Sequence, residues 1–139
     1  MGRALIVSSV LLVLTMLSSA QEQKTIWDGV YTEEQAKRGA DAYAQKCAMC
    51  HGDGLGGVES APALAGPAFY GNWEGEALDA LFERMRMSMP QDSPGSLSRA
   101  QNADILAHML KVGGYPAGAT PLDGQAGALT GIKILTYKP

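Results

Sequence analysis

The sequence predicts an all-α domain. Three stretches carry apolar residues at helical spacing, and two of them open on a capping box. No convincing β-hairpin or internal repeat interrupts them.

The chain opens MGRALIVSSVLLVLTMLSSA. Arg3 supplies a positive n-region, Ala4 to Leu17 a short apolar core, and Ser18-Ser19-Ala20 a small-residue cleavage pattern. Residues 1–20 are therefore predicted to be a signal peptide, removed after Ala20. The apolar run is shorter than the roughly 20 residues that span a bilayer, which argues against a permanent membrane anchor. No cysteine at the cut offers a lipid attachment point. Residues 21–30 read as a polar lead-in.

TEEQAKRGADAYAQKC predicts the first helix. Thr32 with Gln35 makes a capping box, Glu33 and Glu34 suit the positive end, and Ala36, Ala40, Tyr43 and Ala44 form one face. Gly39 interrupts that helix at about 1 kcal/mol relative to alanine, so something is expected to approach its backbone closely. Gly52 to Gly66 holds too much glycine and proline for regular structure. A second helix is predicted over Glu76 to Arg86, with Leu78, Leu81, Phe82 and Met85 at helical spacing. Met89-Pro90 stops it, because proline lacks a donor and disfavours the α region in its predecessor. After the loop QDSPGSLS, Ser98 with Gln101 caps a last helix over SRAQNADILAHMLKVGG, ended by Gly113-Gly114. Its apolar face is Ile105, Leu106, Met109 and Leu110. The domain proper spans 31–118. Residues 119–139, rich in glycine and proline, are expected to lie over the surface as a tail, with room for one short strand near Ile132, Ile134 and Leu135.

Aromatic residues are only 6% of the chain and glycines number 17, a lean side-chain core that a large bound cofactor would complete. The net charge of −3 and the absence of any basic run argue against nucleic acid. Mild acidity fits an exported protein that meets a partner through a complementary patch.

Both cysteines and one of the two histidines lie in KCAMCHGDGLGG, residues 46–57. Two thiols at this spacing permit a redox disulfide, half of a zinc site or a covalent haem anchor. A redox disulfide needs the motif at the start of a helix in a βαβ context, whereas here it ends a helix with no strand before it. A structural zinc site needs four ligands in compact pairs, and His108 is the one remaining soft ligand. Cys47-Ala48-Met49-Cys50-His51 is instead the pattern of haem attachment. Two thiols add across two porphyrin vinyl groups, and the adjoining histidine donates its imidazole to iron. The predicted cofactor is thus one haem c, bound through Cys47 and Cys50. The run Gly52-Asp53-Gly54-Leu55-Gly56-Gly57 also satisfies G-x-G-x-x-G, but a helix precedes it where a dinucleotide site needs a strand.

From about Tyr31 to Gly118 the sequence resembles a class I c-type cytochrome, in CAMCH, the proline loop APALAG, the methionine-proline loop MPQDSPGSLS and the helix ADILAHMLK. It is similar to small monohaem cytochromes that accept electrons from exported quinone-dependent dehydrogenases. The resemblance implies a cytochrome c-like helical fold around the haem. It also implies His51 as proximal and Met89 as distal iron ligand, with Pro62 holding His51 through its carbonyl. Gly39 and Tyr43 would face the last helix, and Trp73 would line the haem edge or donate to a propionate. Met85, on the helical face, reads as core; Met87 remains a rival to Met89, which is favoured because Pro90 fixes its backbone. His108 reads as a packing residue standing where the family has an aromatic one.

With two protein ligands the iron has no vacant position, so electron transfer is the implied function and no catalytic residue is expected. The implied partners are an exported dehydrogenase as donor and a terminal oxidase or another cytochrome as acceptor, in the periplasm. The competing class is a haem enzyme or a gas- or peroxide-binding protein with a labile sixth ligand.

Overall fold

In the computed structural model, residues 23–59 and 61–139 are described, so the expected signal peptide lies outside them. Thr32 starts the first helix as its type predicts: its backbone is extended (φ −103°, ψ 156°) and its hydroxyl accepts the Gln35 N–H. Helix α1 runs Glu33–Lys46 and is followed directly by a single turn, α2, at Ala48–His51. After a loop come α3 (Pro67–Gly71), α4 (Leu78–Ser88) and α5 (Arg99–Val112). The only strands among the described residues are β1 (Lys24–Thr25) and β2 (Ile132–Lys133), paired in parallel with Lys24 opposite Ile132. The fold is all-α, as the periodicity predicts.

The pair α1 and α5 carries the most extensive packing. Its crossing is set by Gly39: a Cβ there would lie 1.8 Å from the Asp104 carbonyl oxygen and 3.0 Å from the His108 Cβ. No other residue type fits such an approach. Arg38 straddles the crossing by a two-pronged bond to the Asp104 carboxylate, 2.9 Å on each arm, and Lys111 meets Glu33 further along. These pairs are solvent-exposed and contribute little beside the packing. Helix α5 buries Ile105, Leu106, Ala107, Met109 and Leu110 and opens on a complete capping box between Ser98 and Gln101.

Three departures from the sequence reading matter. The Thr32 box is half-formed, because the Gln35 side chain reaches across the molecule and not back to Thr32. It donates to the Leu122 carbonyl (3.0 Å) and accepts the Leu122 N–H (2.7 Å), both buried. The lead-in, read as polar, is core: Ile26 is fully buried, Val30 nearly so, and Trp27 donates its indole N–H to the Leu135 carbonyl at 2.9 Å. The C-terminal segment is likewise not a surface cover, since Leu122, Leu129, Ile132 and Ile134 are all buried. The physical reason is mutual: each terminal segment is too short to bury its own apolar residues, and they do so against each other. A T-shaped aromatic chain seals the join, with Trp27 on Tyr115 (centroids 4.7 Å) and Tyr115 on Tyr70 (4.9 Å).

Candidate functional site

Cys47 caps α1 and begins α2, so the backbone turns there (φ −128°, ψ −36°) and winds Ala48 to His51 into one tight turn. The N–H groups of Cys50 and His51 both reach the Cys47 carbonyl, at 3.1 and 2.9 Å. Cys47 is half-buried and Cys50 exposed, both as free thiols. Met49 between them is 92% exposed, on the side of the turn away from the face that Cys47, Cys50 and His51 share at i, i+3 and i+4. Burial, with Cys50 beside it, pushes the Cys47 thiol up to about 11. Redox-active cysteines have depressed values, so this environment runs against the disulfide-exchange alternative.

His51 is buried, and its Nδ1 lies 2.8 Å from the Pro62 carbonyl oxygen. A carbonyl only accepts, so Nδ1 carries the proton and Nε2 keeps a free lone pair. That is the tautomer a metal-binding imidazole needs, held by the kind of outer contact that fixes ligand histidines.

The glycine run behind the motif makes this contact feasible. Gly57 stands at φ +78°, and a Cβ on it would meet Ala63 N at 2.6 Å and the Pro62 carbonyl carbon at 2.8 Å. Its own N–H donates to the His51 carbonyl at 2.9 Å, so the chain folds back over the histidine before reaching proline. The Leu64 N–H to Leu55 carbonyl bond (2.8 Å) closes the loop, with Leu55 buried in a left-handed conformation at φ +58°. Tyr43 secures the near side by donating its hydroxyl to the Gly52 carbonyl at 2.7 Å. Burial first, then the neighbouring Cys47 and Asp53, push that phenol up to about 12, so it stays a donor at any ordinary pH. The same ring packs on His108, centroids 5.4 Å apart.

The structure thus brings Cys47, Cys50, His51 and Pro62 together in one cluster. Among the described residues no side-chain hydrogen bond ties Met89 or Trp73 to it. Met89 is the C-cap of α4, extended at φ −123° and ψ 152° as its proline neighbour requires, and is half-buried. Met87 is 66% exposed, and Met85 packs against the core. Trp73 is half-buried against the core beside α3. Sequence reading did not find α3, though Gly66 before Pro67 marks a helix start. It also missed the Tyr43–Gly52 bond, which has no local signature.

Residues 34–109, more than half of the chain, match the family model for cytochrome C oxidase, cbb3-type, subunit III. No curated protein matches. Among solved structures, the chain is similar to the sulfane dehydrogenase SoxCD from Paracoccus pantotrophus, at 24% identity and a TM-score of 0.46. The match covers 82% of this chain and 58% of that one, so this chain accounts for little more than half of its length. The donor set fits the group that the family carries: two free thiols on one helical turn and an adjoining buried imidazole with its Nε2 left available. The chain belongs to the family of c-type cytochrome domains described as cbb3-type oxidase subunit III, a class I monohaem cytochrome with one haem c held through Cys47 and Cys50.

Proposed function

We propose that this protein carries single electrons and that His51 and Met89 would hold the haem iron. Bound haem c supplies one iron that alternates between the ferric and ferrous states. The chain's own residues decide what that iron can do. His51, oriented by Pro62, presents Nε2 from one side. Met89 is the distal residue because its backbone is fixed at a helix end before proline, and because its half-buried side chain contrasts with the solvent-facing Met87. Two protein ligands leave no open position for oxygen or peroxide, and a thioether favours the ferrous state.

The donor in this reading is an exported dehydrogenase working at quinone or flavin level, and the acceptor is a terminal oxidase or another cytochrome. The description of the matching family, a subunit of an oxidase, supports the acceptor side. The setting is the periplasm, and among the described residues no helix is long and apolar enough to cross a membrane. The observation that carries the reading is the His51–Pro62 contact, which orients a buried imidazole with Nε2 available and so supports it as a ligand.

The visible spectrum of the holoprotein tests it. A weak long-wavelength sulfur-to-iron band with low-spin ferric iron is expected. Met89→Ala removes that band and admits cyanide and carbon monoxide, while Met87→Ala leaves it intact. High-spin ferric iron in the unaltered protein would favour the alternative, a haem enzyme or ligand-binding protein with a labile sixth ligand.

A further inference from the structure

Helix α4 carries Met89 at its end, yet its own sequence does little to fix where it starts. Its N-cap is Ala77, which offers no side-chain acceptor. What holds that end comes from the far C-terminus. The Ile134 N–H donates to the Glu76 carbonyl at 3.0 Å, and the Gly75 N–H donates to the Ile134 carbonyl at 2.8 Å. Lys133 pairs with Ala77 in an antiparallel bridge, and the Thr136 N–H donates to the Glu74 carboxylate at 2.7 Å. Ile134 itself is fully buried. On its other edge the same segment is anchored to the N-terminal strand, through the β1–β2 pair and the Ile26 N–H to Lys133 carbonyl bond at 3.0 Å.

A second grip lies further along α4. Glu83 takes an ion pair from Arg86 on its own helix at 2.7 Å and from Arg99 of α5 at 2.8 Å. The Arg99 guanidinium also donates to the Gly124 carbonyl at 3.0 Å. Residues after α5 therefore touch α4 at its start and, through Arg99, at its middle.

We propose that the segment from Gly124 to Thr136 is a brace that positions the distal ligand: it fixes α4, and α4 delivers Met89 as a rigid arm. Ile134 is the central positioning residue. This rests on Met89 being the sixth ligand. An eleven-residue helix transmits a displacement at its first turn to its last, so loosening the brace raises the fraction of time the thioether is off the iron. A competing ligand reads that fraction directly, because its apparent affinity scales with the competent population.

The test titrates imidazole into ferric holoprotein and follows loss of the sulfur band, alongside urea unfolding of the same samples. Ile134→Ala is expected to bind imidazole about tenfold more tightly than the unaltered protein, and Glu74→Gln about threefold. The control is Tyr31→Phe, which removes the buried bond from the Tyr31 hydroxyl to the Tyr115 carbonyl (2.6 Å), a bond that joins neither α4 nor the segment from Gly124 to Thr136. It is expected to stay within about twofold. If Ile134→Ala yields no holoprotein, Ile134→Val takes its place, with a smaller shift of the same sign. Equal imidazole affinity in the Ile134 variant and in Tyr31→Phe, at comparable loss of stability, overturns the brace while leaving Met89 as ligand. If Met89→Ala leaves the spectrum unchanged, the ligand assignment falls, and the brace falls with it.

Discussion

The Nδ1 atom of His51 and the carbonyl oxygen of Pro62 are 2.8 Å apart, across a loop that turns back through Gly57. That separation fixes the direction and tautomer of the imidazole, and the loop's shape depends on the absence of a side chain at Gly57.

Gly57→Ala puts a methyl group into the Pro62 and Ala63 backbone at positive φ, so the loop must shift. A loss of roughly 1–3 kcal/mol is expected in urea unfolding of the holoprotein. The reduction potential should rise, because losing the carbonyl contact makes the imidazole a weaker donor to ferric iron. A variant with unaltered stability and potential would show that the loop does not hold the histidine.

Gly39→Ala reverses the usual sign of a helix substitution. In an open helix, alanine is better than glycine by about 1 kcal/mol. Here its Cβ would fall 1.8 Å from the Asp104 carbonyl oxygen, so α1 and α5 must separate. Destabilisation of about 3 kcal/mol or more is expected by denaturant unfolding, with loss of the close α1–α5 packing.

His108 gives the protein an acid-side weakness. Burial, with Lys111 close by, lowers its folded pKa below the ordinary 6.5. As pH falls through about 6.5 the unfolded chain binds the proton first, so stability declines from there down to the folded value and then levels off. His108→Phe, which keeps a ring against Tyr43, should abolish that part of the slope in stability curves between about pH 7 and about pH 5. A slope identical in both proteins would place the acid sensitivity elsewhere.

Gln35→Leu tests the link between the first helix and the C-terminal segment. It strands the N–H and the carbonyl of Leu122, both buried partners of the Gln35 amide. A cost of about 1–3 kcal/mol is expected, with faster amide exchange concentrated around Leu122. Uniform exchange across the chain would contradict a local clamp.

These sites differ in how far the sequence announces them. Cys47, Cys50 and His51 form a contiguous motif whose chemistry dictates its spacing, and Ser98 with Gln101 caps α5 by purely local bonds. Thr32 and Gln35 have the same spacing, yet Gln35 turns to Leu122, because a distant backbone offered a buried donor and acceptor together. The burial of the lead-in and of the C-terminal segment was illegible for the same reason, although the short strand expected near Ile132 does form. Ile26 and Ile134 are buried beside a two-residue strand pair separated by most of the chain, and nothing local names the partner of so short a strand. Proline after Met89 marked the end of α4 correctly, whereas its start at Leu78 depends on Ile134 rather than on a capping residue.

The intact mass of the protein purified from its own host is the most direct test of the central claim, that one haem is bonded to both Cys47 and Cys50. Thiol addition to a vinyl group expels no atoms, so the expected mass is that of the polypeptide plus one whole haem, retained under denaturing conditions. A haem lost on denaturation, leaving the polypeptide mass alone, would contradict the account.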